Sequence, residues 1–351
     1  MTDKVTLQQV AAHAGVSRAT ASLVVRGTGR VSQETRDRVF ASMAELGYVY
    51  DQVAASLRTR QAKVVGIVVT NIANPFFSEL ILGLEAEIRK AGFLPLLAVT
   101  RDDVAQQAEA VSALQEHRVA GLGIVPATGT SPELIDELRR SRVGHVFMTR
   151  YLDGAETSYV GPDDVRGGEL AGEHLFQHGC RRVAYLGGPA RMVSRRDRLT
   201  GLRTAAARAG LDPDGAVLSL PGETSGTGGL ELGRRLAADP DALPDGVLCH
   251  GDSVAFGLYR ALYDAGLSDR LRVIGYDDVP AAALWEPPLT SISVRGRELG
   301  REAARLLLGR IENPSAPPVV RRRAPELRVR RSCGCHGSAD SAVDPATEDS
   351  P

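Results

Sequence analysis

Few residues of this chain are grouped as a reaction centre requires. The glycine-rich run GETSGTGG (222–229) lacks the Gly-Lys-Ser/Thr that completes a phosphate-cradling loop, so it reads as a loop with a Ser225 cap. Cys333-Gly334-Cys335-His336 has too few partners and the wrong spacing for structural zinc, and reads as a thiol pair on a tail. His13, His117, His174 and His178 are scattered over helix faces and make no Ser/His/Asp or metal grouping. With no nucleophile–base pair and no cofactor motif, the expectation is a protein that is not an enzyme and carries neither cofactor nor metal. What remains is the chemistry of recognition. Arg18 stands at the start of a helical stretch, and a guanidinium can place two parallel N–H groups against a guanine edge.

The elements that would hold Arg18 in place are short. In Thr6–Val25, Leu7, Val10, Ala11 and Ala14 recur at helical spacing, and Thr6 with Gln9 forms a capping-box pattern. Gly15 stops that helix in a left-handed turn, and Ser17 caps a second one running to Val25. Two helices around such a turn make a helix-turn-helix, whose second helix can lie in a DNA major groove. Ser32 caps a third helix, with Val39, Phe40, Met43 and Leu46 expected inward and Gly47 closing it. A short Ala-rich run, 52–59, follows with Val53, Ala54 and Leu57.

At 351 residues the chain suits a small domain plus a larger, two-lobed one. A formal net charge of −1 argues against an overall polycation, so a nucleic-acid surface must be local. Residues 1–60 supply it: Lys4, Arg18, Arg26, Arg30, Arg36, Arg38, Arg58 and Arg60 outnumber Asp3, Glu34, Asp37, Glu45 and Asp51. There is no charged-then-apolar leader at Met1, no run near the ~18 apolar residues of a membrane span, and only four scattered cysteines. The expectation is a cytoplasmic, nucleoid-associated protein with no membrane partner.

After the polar joint 60–63 the pattern changes. Apolar runs at 64–70, 93–100, 121–127 and 143–149 read as buried parallel strands separated by amphipathic helices. A second set, at 182–188, 216–220, 246–252 and 272–278, repeats the alternation before the chain crosses back near Pro287–Ile292. Two α/β lobes of this kind suit a hinged cleft that closes on a small molecule.

Taken together, VTLQQVAAHAGVSRATASLVVRGTGRVSQETRDRVFASMAELGY and the following VAASL resemble the DNA-binding headpiece of the lactose/galactose repressor (LacI/GalR) family. VVGIVV, NPFFSEL, GGELAGEHL, HGCRRVAYLGGP, GYDD and PPLTSI resemble that family's periplasmic-binding-protein-like core. The resemblance implies an all-α helix-turn-helix headpiece (1–50), a hinge helix and linker (51–61) and an α/β two-lobed periplasmic-binding-protein-like core (62–330). The N-lobe is expected at about 62–160 and 291–330, the C-lobe at about 161–290, and a disordered tail at 331–351. It also implies a ligand-responsive regulator, predominantly a repressor, binding double-stranded, pseudo-palindromic operator DNA as a homodimer. A leucine-heptad tail of the kind that tetramerises relatives is absent, so a dimer is expected.

Residue roles carry over by the same resemblance. Arg18 and Ala19, with Ser22 and Leu23 one turn on, face base edges, although relatives often carry arginine where Leu23 stands. Ser17, Thr20 and Thr35 donate to phosphates, and Thr6, Arg26, Val31 and Arg58 complete the DNA surface. Leu57, with Val53 and Ala54, matches the hinge-helix leucine that wedges into the minor groove. Asn74, Phe76, Phe77, Arg150, Arg198, Asp252 and Asp277 are placed at the effector cleft, where an arginine opposed by carboxylates would grip a hydroxylated, sugar- or nucleoside-like ligand. A transport binding protein and an enzyme on an α/β scaffold are the alternatives; the headpiece and the missing catalytic groups count against each.

Overall fold

Three capped helices form the unit that ends at Ala62, and two α/β lobes form the unit from Lys63 onward. The computed structural model describes residues 5–48 and 63–335. Helix α1 (Leu7–His13) is held by its capping box, with Gln9 N donating to Thr6 Oγ1 at 3.4 Å and Thr6 N to Gln9 Oε1 at 2.7 Å. Gly15, at φ +65°, makes the turn that an L side chain resists. Ser17 caps α2 (Arg18–Arg26) and Ser32 caps α3 (Gln33–Leu46), each accepting from the backbone three residues on. Val10, Ala11, Ala14, Ala21, Val24 and Val39 form the core of this unit. Phe40 is not part of it. It is half exposed, because Val39, Met43 and Leu46 already make the inward stripe and Phe40 lies about 100° round the helix from Val39. The expected hinge helix and linker, 51–61, with Val53, Ala54, Leu57 and Arg58, fall outside the described residues.

The N-lobe runs β1 (Val64–Val69), α4 (Pro75–Lys90), β2 (Leu94–Val99), α5 (Val104–Glu116), β3 (Gly121–Ile124), α6 (Glu133–Ser141), β4 (Gly144–Met148) and β5 (Tyr159–Pro162). The C-lobe follows with α7 (Asp164–Gln177), β6 (Val183–Leu186), α8 (Val193–Arg208), α9 (Pro213–Ala216), β7 (Val217–Leu220) and α10 (Gly226–Ala237). It continues through β8 (Gly246–Cys249), α11 (Asp252–Asp264), β9 (Arg272–Asp277), α12 (Pro280–Leu284) and β10 (Thr290–Ser293). Helix α13 (Gly296–Glu312) returns to pack on α4, β3 and β4, and β11 (Val320–Arg323) and β12 (Glu326–Arg328) end the described chain.

The sheet orders are β11-β5-β4-β3-β1-β2 and β12-β10-β9-β8-β6-β7. All pairs are parallel except β10–β12. The chain therefore crosses between lobes three times: after β5, after β10 and between β11 and β12. The third crossing corrects the expected boundaries. Residues 291–293 and 326–335 belong to the C-lobe, because β10 and β12 pair there and Ser332 exchanges backbone bonds with Val273 and Pro288. Residues 331–335 are thus an ordered part of the lobe rather than a disordered tail: Cys333 is fully buried, and Ser332 Oγ donates to Val273 O at 2.6 Å.

Two other expectations are corrected. Strand β2 is not buried: it is the sheet's outer strand, and Leu94, Leu96 and Leu97 face outward. The glycine-rich run 222–229 is not all loop, since Ser225 caps α10 and Gly228 and Gly229 lie within that helix. A Cβ on Gly229 would stand 2.1 Å from Val254 O, so the glycines let α10 and α11 touch backbone to backbone.

Candidate effector cleft and nucleic-acid interface

On the headpiece, Ser17, Arg18, Ala19 and Arg26 are exposed along α2, while Thr20, Ser22 and Leu23 are partly covered. Helix α2 buries Ala21 and Val24 against the core, which leaves the Arg18 face free. Ser17 Oγ and Thr20 Oγ1 lie 2.9 Å apart at the helix start, and Ser32 Oγ and Thr35 Oγ1 repeat the arrangement at the start of α3. Both pairs present hydroxyls beside helix N-termini, where phosphate oxygens are favoured. Thr6 occupies the equivalent cap of α1. Arg26 folds back, Nε to Ser22 O at 3.0 Å. Val31 is partly buried and its carbonyl accepts from Arg36.

In the core, carboxyl ends of strands from both lobes meet around a cavity of about 760 Å³. Asn74, Phe76, Phe77, Arg150, Arg198 and Asp277 all line it. Asn74 is set by local sequence: as N-cap of α4 it accepts from Phe76 N at 3.0 Å, with Pro75 fixing the first turn. Its amide reaches across the cleft to Asp277 Oδ2 at 3.2 Å. Phe76 and Phe77 meet edge to face, 5.3 Å between centroids.

Arg198, only 7% exposed, is the best-held group of the site. Its Nε donates to Asp164 Oδ1 at 2.7 Å, its Nη1 to His250 O at 2.6 Å, and its guanidinium lies 3.4 Å from the centre of the Tyr276 ring. Burial opposes this charge most strongly, but Asp164 together with Tyr276, Tyr185 and Asp277 outweighs it and the arginine stays protonated. A guanidinium carries five donors, so N–H groups remain for a ligand. Burial raises the Asp164 carboxyl while Arg198 pulls it back, and Tyr276 Oη also donates to it at 2.9 Å. Asp277 is pushed by burial up to about 7, against the pull of Arg198 and Asn74. Its backbone sits at φ +100°, and Asp278, Thr149, Arg101 and Asp102 also have positive φ. Strain gathered at strand ends around one cavity is a mark of a binding site.

Asp252 is a correction. Expected at the cleft edge, it is fully buried behind the wall, where Val279 N (2.8 Å) and Ser291 Oγ (2.7 Å) donate to it. It pins β10 and the β9–α12 turn, and Gly275 leaves room for it: a Cβ there would stand 2.0 Å from Asp252 Oδ1. Sequence reading missed Arg101, Asp102, Thr149, Ser194, Thr224 and His250, which also line the cavity. Arg150 is held by Asp102 at 2.5 Å. Burial keeps His250 neutral, with Tyr185 Oη 2.9 Å from its Nδ1. The lobes also touch at Tyr151 Oη–Asp197 Oδ2 (2.6 Å) and Arg196–Asp153 (2.5 Å).

Residues 6–51 match the family described as bacterial regulatory proteins, lacI family, and residues 173–333 match the periplasmic binding protein-like domain. The HTH-type transcriptional regulator CelR of Thermobifida fusca is 34% identical over 346 residues, covering 93% of this chain and 98% of the relative. A solved complex of a transcriptional regulator CelR with cellobiose superposes with a TM-score of 0.70 at 32% identity, covering 93% of this chain and 99% of that one. The Lac repressor dimer bound to operator and the anti-inducer ONPF gives a TM-score of 0.82 at 27% identity, covering 94% and 99%. Among the described residues no helix is long and apolar enough to cross a membrane.

Proposed function

Because the chain belongs to the lacI family of bacterial regulatory proteins, we propose that it is a repressor that binds a pseudo-palindromic operator as a homodimer and responds to a small hydroxylated molecule, of the sugar class, in the inter-lobe cleft. It acts in the cytoplasm on the nucleoid and catalyses no reaction. The observation that carries the reading is a cavity whose charged groups come from both lobes, in a chain that also presents an arginine-led recognition helix. Asn74 donating to Asp277 across the cleft ties ligand occupancy to closure: a sugar bridging Asp277, Arg198 and Arg150 binds the closed arrangement better than an open one. That difference in affinity is the whole of the signal.

In this reading Arg18, Ala19, Ser22 and Leu23 face base edges, and Ser17, Thr20, Thr35, Thr6, Arg26 and Val31 lie along phosphates. Asn74, Phe76, Phe77, Arg150, Arg198 and Asp277 hold the ligand. The exposed leucines of β2, with half-exposed Leu82 on α4, supply an apolar patch for the second copy. The test is a gel shift of the full-length protein on DNA upstream of its own gene, with mono- and disaccharides screened by thermal shift. Retardation altered by one sugar that also raises the melting temperature is the expected result. Absence of retardation at low salt, with and without the panel, overturns the reading.

A further inference from the structure

Far from the effector cleft, a second cluster of ligand-type side chains forms where the C-terminal segment docks on α7. His174 and His178 lie one turn apart at the end of that helix, their rings 4.3 Å between centroids. Cys335 Sγ sits 3.1 Å from His178 Nε2 and 3.5 Å from His174 Nε2. The ligand atoms of His174, His178 and Cys335 all lie within 4.8 Å of one another, whereas the Cys333 thiol two residues earlier is turned to Thr290 and to Arg330 O. The geometry points to a three-residue site for a borderline-soft divalent cation of the zinc class, ligated by His174, His178 and Cys335 with its fourth position open to water.

The distances suit an ion, and convergence of two imidazole nitrogens on one sulfur goes beyond a single thiol–imidazole contact. Zn–S of about 2.3 Å and Zn–N of about 2.0–2.1 Å at a tetrahedral angle place sulfur and nitrogen about 3.5 Å apart. The two observed separations, 3.1 and 3.5 Å, leave room for an ion with only small adjustment. His178 Nδ1 lies 2.8 Å from His174 O, which fixes that nitrogen as the donor and turns the Nε2 lone pair toward Cys335. Thr290 Oγ1 donates to Cys333 Sγ at 3.2 Å, which anchors the segment that carries Cys335. His178 is exposed and Cys335 partly so, giving the ion a path in.

The site would be structural rather than part of effector binding. Helix α7 carries Asp164, the partner of Arg198, at its first residue and the two histidines at its other end, roughly 15–20 Å away at 1.5 Å per residue. A metal there staples the strap that follows β12 to the helix that positions the cleft arginine.

Untagged full-length protein, purified under reductant and dialysed against Zn²⁺, should keep about one equivalent per chain after gel filtration. Loading the stripped protein with Co²⁺ should give tetrahedral d–d bands and a thiolate charge-transfer band. His178→Gln and Cys335→Ser alter side chains open to solvent and should fold, yet lower retained zinc at least tenfold, whereas the surface control His117→Gln should retain all of it. No zinc in the parent protein, an octahedral cobalt spectrum without the thiolate band, or equal retention in His178→Gln and Cys335→Ser would each overturn the assignment.

Discussion

At the scale of single residues, the two recognition surfaces behave oppositely on substitution. Arg18 is exposed and none of its contacts holds the fold, so Arg18→Ala should leave the melting temperature alone. It should cost roughly 1–3 kcal/mol at one operator base pair; a specificity profile identical to the parent's would show that another side chain reads that pair. Arg198 cannot be tested so simply, because its removal leaves Asp164 as an unpaired buried charge, a change that typically costs about 3–5 kcal/mol. Asp277→Asn is the better probe of the cleft, since it keeps the shape that faces Asn74. The folded carboxyl titrates at about 7, raised from 3.8. Between those values the folded chain holds a proton that the unfolded chain has released, so stability falls as pH rises through that window. A ligand hydroxyl donates to the ionised form, so affinity should rise as pH passes up through 7. Asp277→Asn should flatten both slopes and weaken binding roughly 10- to 150-fold, the worth of a hydrogen bond to a charged group. A pH slope that survives the substitution would assign the titration elsewhere.

At the scale of elements, glycines set the cleft as much as its charged lining does. Helices α7 and α8 carry Asp164 and Arg198, and they approach through Gly168 and Gly201. A Cβ on Gly201 would stand 1.9 Å from Val165 O, and one on Gly168 2.0 Å from Arg198 O. Gly309, on α13, has nothing within 4 Å. One substitution should therefore have opposite signs at two helical glycines. Gly309→Ala should stabilise by roughly 0.5–1 kcal/mol through helix propensity. Gly201→Ala should destabilise by about 1–3 kcal/mol through overpacking, with equal urea m-values; equal signs would show that the helices can part freely. None of this close packing was legible in the sequence, because the atom a glycine must avoid belongs to a helix some thirty residues away. Caps such as Thr6, Ser17, Ser32 and Ser225 were legible, since their bonds close within three residues. Asp252 and Asp277 looked alike as carboxylates near strand ends, and only the placement of Ser291 and Val279 sent the first into the wall. Cavity-lining Asp102, Thr149 and His250 follow β2, β4 and β8, where the rule that α/β ligands bind beyond strand carboxyl ends would have pointed. The third lobe crossing was hidden because β12 is three residues long and charged, and its partner is set by tertiary contacts. The same crossing brings Cys335 within reach of His178, 157 positions away in sequence.

At the scale of the whole molecule, the open question for repression is what brings two headpieces to one operator. A headpiece core of six buried side chains presents one short recognition helix, and one half-site gives modest affinity, whereas joining two copies multiplies affinity through effective concentration, commonly by 10²–10⁴. The N-lobe sheet ends in an edge strand, β2, with only β1 beside it, carrying Leu94, Leu96 and Leu97 in the open, with Leu96 36% and Leu97 47% exposed. Natural proteins rarely leave such an edge uncovered, and neither leucine lines the cleft or belongs to the headpiece. Replacing Leu96 and Leu97 together with glutamate sets like charges against each other across a twofold interface, where each residue meets the same patch on its partner. Sedimentation should then show a monomer where the parent sediments as a dimer. Operator affinity should fall at least about 100-fold. The slope of log K against log salt, about −0.9 per phosphate neutralised, should shrink toward half as one headpiece's contacts are lost. Sugar affinity in the cleft should not change, because each cleft is built within one chain. A double variant that stays dimeric would place the interface on another face. One that becomes monomeric yet binds operator as the parent does would remove the dimer from the mechanism altogether.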